Sequence, residues 1–135
     1  MAVLEVLYTG DYRTESVHPS GKSKVTTQAH LQEGEVAEAY TPMQMLAYAA
    51  ASCVMSTIGV VAHVHSFSIE GIRAIVEYEV TQKPLRLKSL TLKIDLRGHE
   101  YSPKEKKFLE LATQDCPVMR SLSPEVEKKI ELLFV

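Results

Sequence analysis

Cysteine is scarce in this 135-residue chain: there are two, Cys53 and Cys116, and neither has a Cys-x-x-Cys partner. Any redox use of the pair therefore requires the fold to bring distant residues together. An excess of charge is missing too. Fifteen Lys and Arg against 17 Asp and Glu leave a formal charge of −2, which gives no general drive toward nucleic acid or an acidic membrane surface. There is no glycine-rich phosphate loop, no defensible Ser-His-Asp arrangement and no basic-aromatic face of the kind that binds nucleic acid. Repeats, linkers and low-complexity tracts are absent, so the expectation is a single domain over 1–135. Met1–Thr9 lacks the basic and apolar regions of a signal peptide. A cytoplasmic location is expected, where structural disulfides are uncommon. Two cysteines in that setting are inert core residues, metal ligands or redox groups.

What the chain does have is one long uncharged stretch. From Met43 to Ala62 no charged residue occurs, and Cys53 sits near the middle. The stretch is apolar nearly all round, so a helix here must be covered on every side by protein or lipid. It is long enough to span a bilayer. It is also rich in alanine, interrupted by Gln44, Ser52, Ser56, Thr57 and Gly59, and unflanked by Lys or Arg that would set an orientation. A buried core helix is therefore expected, with no membrane partner. Thr41 is its N-cap and Pro42 its first residue.

Around this helix the pattern is β-rich. Met1–Thr9, Tyr12–Val17 and Lys24–Leu31 read as strands, separated by turns at Gly10-Asp11 and His18-Pro19-Ser20-Gly21. On the third strand Val25, Thr27, Ala29 and Leu31 share a face. Gln32–Tyr40 is acidic and irregular. After the helix, Ile72, Ala74, Val76, Tyr78 and Val80 alternate with Arg73, Ile75, Glu77 and Glu79 in a half-buried strand. The next strand changes phase, with Leu85 and Leu87 odd but Leu90, Leu92, Ile94 and Leu96 even. A bulge near Lys88-Ser89 reconciles the halves. Ser102-Pro103-Lys104-Glu105 is a capping box that opens a second helix, expected to bury Phe108, Leu111, Ala112 and Cys116. Pro117 interrupts it, with a short turn resuming through Leu122. A last strand places Val126, Ile130, Leu132 and Phe134 on one face. The order is βββ-α-ββ-α-β, an α+β fold. One sheet covers only one side of the long helix, and a second copy of the chain is the simplest cover for the other, which makes a homodimer the expected state.

Composition alone leaves the cysteines open between buried core residues and reactive groups. Pro117 places Cys116 at the start of a short helix, a position that lowers a thiol pKa, whereas a mid-helix Cys53 needs a cationic neighbour from elsewhere. His63 and His65 form an H-x-H pair just past the long helix. Their spacing from the cysteines is not a usual structural-zinc pattern, and no metal site is expected. Arg13 and His18, alone, are an ordinary strand arginine and a turn histidine.

Three segments nevertheless carry a resemblance. T-P-M-Q-M-L-A-Y-A-A-A-S-C over Thr41–Cys53, C-P-V-M-R-S-L-S-P-E-V-E over Cys116–Glu127 and R-T-E-S-V-H-P-S-G over Arg13–Gly21 together resemble the OsmC/Ohr family, the osmotically inducible and organic hydroperoxide resistance proteins, in its broad OsmC-like branch. The resemblance implies an intertwined homodimer with its long helices packed between shared sheets. It implies a cysteine-based peroxidase for organic hydroperoxides in oxidative-stress defence. Carried over, Cys53 is the peroxidatic thiolate and Cys116 the resolving thiol, with Gln44 and Met45 at the substrate site. No cofactor is implied beyond an external dithiol reductant. The chain departs from the family pattern in two places, the holding carboxylate and the N-terminal cation. Family members hold the thiolate with an N-terminal arginine, itself held by a carboxylate just after the helix-start proline. Here Met43, Gln44 and Met45 follow Pro42, and no carboxylate is present. Arg13 and His18 are the candidate cations. They point to opposite faces of a regular strand, and Arg13 is preferred because it is charged at all relevant pH. That loss leaves an alternative function open, a non-catalytic OsmC-like module that binds an apolar ligand at the dimer cleft.

Overall fold

The computed structural model describes residues 4–31 and 33–135. The chain divides into two compact units, the first ending at Leu46 and the second covering Ala47–Val135. The elements are β1 (Leu7–Gly10), β2 (Arg13–Val17), β3 (Lys24–Gln28), α1 (Pro42–Val64), β4 (Arg73–Gln82), β5 (Leu85–Asp95), α2 (Pro103–Ala112), α3 (Pro117–Ser121) and β6 (Glu127–Leu133). This is the α+β order expected, with α3 as the short helical turn after Pro117.

In the first unit β1, β2 and β3 form an antiparallel meander. The expected first strand lies partly outside the described residues, and so does Gln32 at the start of the acidic segment. The hairpin turn sits one residue later than expected, because Asp11 and Tyr12 both take left-handed φ, 54° and 62°. Two such residues are what a two-residue turn needs to match the strand twist, so β2 starts at Arg13 rather than Tyr12. β3 stops at Gln28 instead of Leu31. The N–H groups of Gln28 and Ala29 leave the ladder for the carbonyls of Tyr40 and Tyr12, and His30 turns the chain with φ 47°. The buried position on β3 is Gln28, not the Val25–Leu31 face, whose ends Val25 and Leu31 are exposed. Burial of this amide is compensated, since its Oε1 accepts the Glu38 N–H at 3.0 Å.

α1 begins as expected. Pro42 occupies the first turn, and Thr41 and Gln44 cap each other: Thr41 Oγ1 accepts the Gln44 N–H at 3.1 Å, and Gln44 Oε1 accepts the Thr41 N–H at 2.9 Å. α1 has the length and composition of a membrane span, yet Ala47, Ala50, Ala51, Val54, Ile58 and Ala62 form one fully covered stripe at helical spacing. Leu46, Tyr48, Val60 and Val64 remain exposed on the rest of its surface.

In the second unit β5 lies between β4, antiparallel to it, and β6, parallel to it. A parallel neighbour needs a crossover, which α2 and α3 supply. The bulge falls where the phase change requires it: Ser89 pairs with Glu79 and Leu87 with Val80, leaving Lys88 unpaired. The skip brings Leu87 and Leu90 to the same face, and both are buried with Leu92, Ile94 and Leu96. Leu85, before the bulge, is exposed. α2 opens with the expected capping box, Glu105 N–H to Ser102 Oγ at 3.1 Å and Ser102 N–H to Glu105 Oε1 at 2.8 Å. Its buried face differs from expectation: Leu109 and Ala112 are buried, Phe108 is half-buried, and Leu111 is 56% exposed. At about 100° per residue Leu111 lies roughly 200° round from Leu109, outside the stripe that ends in Ala112. Cys116 is buried, but not on α2. Pro117 drives the preceding residue out of the helical region, so Cys116 adopts φ −91°, ψ 114° and caps α3 instead.

Truncation separates the two leucines of α2. Leu109→Ala removes a fully buried side chain and is expected to lower unfolding free energy by about 2–5 kcal/mol, while Leu111→Ala is expected to stay within about 0.5 kcal/mol. Urea titrations of the two variants against wild type check the assignment.

Candidate active site

The site is the place where the middle of α1 meets the start of α3. Cys53 is on α1 and half-buried, Cys116 is the N-cap residue of α3 and 1% exposed, and both are free thiols. Because Pro117 has no N–H, the first amides available at the head of α3 are those of Val118 and Met119. They are shared between the two sulfurs. Met119 N–H donates to Cys116 Sγ at 3.4 Å, and the Val118 N–H favours a charged sulfur at both Cys53 and Cys116. The two thiols also act on each other, Cys116 favouring a charged Cys53 sulfur and Cys53 disfavouring a charged Cys116. One turn along α1, the Thr57 hydroxyl donates to the Cys53 carbonyl at 2.8 Å and also favours a charged sulfur.

These contacts drive the two thiols apart in acidity. Cys53 is held below the ordinary thiol pKa, chiefly by the Cys116 hydrogen bond and then by the Val118 N–H, against an opposing push from burial. Cys116 is pushed up, first by burial and then by donating its proton toward Cys53, with the Met119 N–H only partly offsetting this. Sequence position had favoured Cys116 as the more acidic thiol. Its place at the head of α3 is as expected, but desolvation outweighs it, and Cys53 becomes acidic without a charged side chain from Ala47–Val135 acting on it. The arrangement provides one sulfur inclined to ionise and a second, protonated sulfur that acts on it. That is the layout for nucleophilic attack followed by disulfide closure.

The other candidates are engaged elsewhere. Arg13, on β2 in the first unit, pairs with Glu38 at 3.2 Å. Sequence reasoning passed over Glu38, which lies in the acidic segment ahead of α1 rather than in its first turn; the run of carboxylates there was the available signal. His18 closes its own turn, with Nδ1 3.1 Å from the Ser20 N–H and 3.0 Å from Ser20 Oγ. Gln44 Oε1 is taken by the Thr41 cap, and Met45 is half-buried. His65 stacks on Phe108, centroids 3.7 Å apart, while His63 is exposed. Among the described residues no three His, Cys, Asp or Glu side chains converge as metal ligands. The Val118 N–H and Thr57 were also missed. The signals for them were Pro117, which marks a helix start, and the i, i+4 spacing from Cys53.

A family model described as OsmC-like protein matches residues 33–131. Comparison with curated proteins gives no match. Among solved structures, the chain is similar to a candidate osmotic stress induced and detoxification response protein from Psychrobacter arcticus, at 28% identity and TM-score 0.88, over 98% of this chain and 96% of that one. It shares its fold with an OsmC-like protein from Mycoplasma pneumoniae, at 16% identity and TM-score 0.80, over 98% and 96% of the two chains. It also shares it with an organic hydroperoxide resistance protein, OsmC, from Legionella pneumophila, at 20% identity and TM-score 0.71, over 98% of each.

The acidity difference is directly measurable. At neutral pH one equivalent of iodoacetamide is expected to modify Cys53 faster than a free cysteine of ordinary pKa, and the rate falls as pH drops through the lowered Cys53 pKa. Cys116 is expected to stay unmodified until the protein is unfolded. Peptide mapping after timed quenching at a series of pH values reads both rates.

Proposed function

The chain belongs to the OsmC-like protein family, and from that premise we propose that it is a thiol-dependent peroxidase that reduces organic hydroperoxides in oxidative-stress defence. The observation that carries the reading is the pair of free thiols that act on each other with opposed acidities, Cys53 lowered and Cys116 raised. The naming of the Legionella relative as an organic hydroperoxide resistance protein supports the substrate class.

The chemistry runs in three steps. The Cys53 thiolate attacks one peroxide oxygen. The O–O bond breaks, the second oxygen leaves with a proton as an alcohol, and Cys53 becomes a sulfenic acid. The Cys116 sulfur then attacks the sulfenic sulfur, water leaves, and a Cys53–Cys116 disulfide closes. An external dithiol reduces that disulfide to two thiols and is itself oxidised to a disulfide. No resident cofactor is required, because the electrons come from the dithiol. Arg13 is the proposed cation for the Cys53 thiolate, with His18 as the alternative. The Arg13–Glu38 ion pair supports Arg13, since Glu38 offers the holding carboxylate that is missing after Pro42. Gln44 and Met45 are proposed to meet the substrate, Gln44 through its amide N–H groups because its oxygen caps the helix.

The working form is proposed to be a homodimer in the cytoplasm. The support is the surface of α1 that the chain leaves open. Tyr48 is 54%, Val60 64% and Val64 68% exposed on a helix without a charged residue between Met43 and Ala62.

Two measurements test these statements. On addition of one equivalent of an organic hydroperoxide, intact-protein mass spectrometry of wild type is expected to show loss of two hydrogens, reversed by a dithiol. Cys116→Ser is expected to gain oxygen instead, and Cys53→Ser to consume no peroxide. A wild type that shows neither mass change with any organic hydroperoxide gives way to the ligand-binding reading. Light scattering at micromolar concentration is expected to give twice the chain mass; a monomer with native circular dichroism removes the dimer.

A further inference from the structure

We propose that the outer face of the second sheet carries a ligand site, a trough across β4, β5 and β6 that takes a slender aliphatic carboxylate with its head on Arg73 and its chain against Ile75 and Leu133. The site uses neither cysteine, and the inference stands apart from the peroxidase reading. Side chains alternate across a strand, so Arg73, Ile75, Lys93, Asp95, Glu131 and Leu133 point away from the face that buries Leu90, Leu92 and Ile94. The register arranges them in two rows over the three strands, Arg73–Asp95–Leu133 and Ile75–Lys93–Glu131. Rows two residues apart are separated by about 7 Å, and each row spans about 10 Å. Between them lies a cavity of 620 Å³, with Ala74, Ile94 and Leu132 in its floor. That volume is within the range of small-molecule sites, and the narrow shape suits an unbranched chain.

Two features of this face select the ligand. The first is apolar. From Arg73 to Glu79, Ser89 to Asp95 and Glu127 to Leu133, the outward positions are polar or charged with two exceptions, Ile75 and Leu133. These two are 63% and 42% exposed, and both line the trough. Apolar surface left open inside a cavity gains by covering with an apolar body. The second feature is charge. Lys93 pairs with Glu77 at 3.0 Å and Lys129 with Glu131 at 2.9 Å. Arg97 grips Asp95 with two parallel bonds, Nε to Oδ1 at 3.0 Å and Nη2 to Oδ2 at 2.9 Å. Arg73 makes no ion pair among the described residues. Asp95 stands opposite it in the ladder and feels its charge, but both Asp95 oxygens are taken by Arg97. Arg73, Lys93 and Arg97 against Asp95 and Glu131 leave the trough one positive charge in excess. A single carboxylate balances that charge and matches the guanidinium fork. A polyanion would instead meet Asp95 and Glu131 in the walls.

Octanoate is the probe, titrated into the full-length protein while backbone amide shifts are followed by nuclear magnetic resonance. Saturable shifts are expected at residues 73–75, 93–95 and 131–133. Acetate, a head without a chain, and octanol, a chain without a head, are both expected to bind more weakly. Arg73→Gln is expected to weaken octanoate binding by roughly three- to tenfold, the size of one exposed charge-assisted contact. Ile75→Thr keeps a branched strand-former, removes apolar surface and is expected to weaken octanoate and octanol alike; Leu133→Thr takes its place should that variant lose native circular dichroism. Lys88→Gln removes a cation outside the trough, one that pairs with Glu79 at 3.8 Å, and is expected to leave binding unchanged. No saturable shift at millimolar octanoate overturns the proposal, and so do shifts centred away from the trough. Equal weakening by Lys88→Gln and Arg73→Gln overturns it too, because it reports general charge attraction. Octanol binding as tightly as octanoate removes the carboxylate from the site and overturns the assignment of Arg73.

Discussion

The constraint on which the structure depends is that α1 carries no charge from Met43 to Ala62 and so cannot stand in water. Its stripe of small residues, Ala47, Ala50, Ala51, Val54, Ile58 and Ala62, is covered completely. Small side chains permit close approach, and the core of the same unit gains its volume from large branched residues that are also buried, Leu87, Leu90, Leu92 and Ile94 of β5 among them. Cys53 is next to this stripe rather than in it. Its backbone is held rigidly by the helix, while its sulfur lies at the border between core and surface, where a thiol can be both positioned and reached.

The second sulfur is placed by a different device. A proline one residue after a cysteine ends any continuation of α2 and starts α3, which turns Cys116 into a capping residue whose sulfur accepts an N–H of its own helix. The two thiols then differ because their surroundings differ. Cys116 loses water and gains little that stabilises its anion, whereas Cys53 is favoured as an anion by the Cys116 thiol, the Val118 N–H and the Thr57 hydroxyl and keeps partial access. Burial decides the sign for Cys116, and hydrogen bonding decides it for Cys53. A short helix at one cysteine is thus a weaker influence on that cysteine's acidity than desolvation, and a stronger one on the neighbour it faces.

In the first unit, Arg13 and Glu38 form an ion pair that no local motif announces, since 25 residues separate them. Both side chains are exposed or half-exposed, so the pair contributes little to stability. Its interest lies in orientation. A guanidinium held by a carboxylate presents its remaining N–H groups in a fixed direction.

Local chemistry was legible wherever a residue's neighbours in sequence decide its conformation. Thr41-Pro42 and Ser102-Pro103 mark helix starts because capping needs only a side chain and an amide three residues on. The bulge at Lys88 is written in the phase change from Leu87 to Leu90, because side chains alternate strictly across a strand. The likeness to the OsmC-like family was legible in the segments around Cys53 and Cys116. The tertiary structure decided what depends on partners far along the chain: that Leu109 rather than Leu111 is buried, that Gln28 is the covered residue of β3, that Arg13 finds Glu38, and which of the two thiols is the acidic one. Sequence determines the faces an element can offer. Which face is desolvated, and which donor reaches which sulfur, depends on residues more than 60 positions apart meeting in space, and pKa follows that meeting rather than the motif around either cysteine.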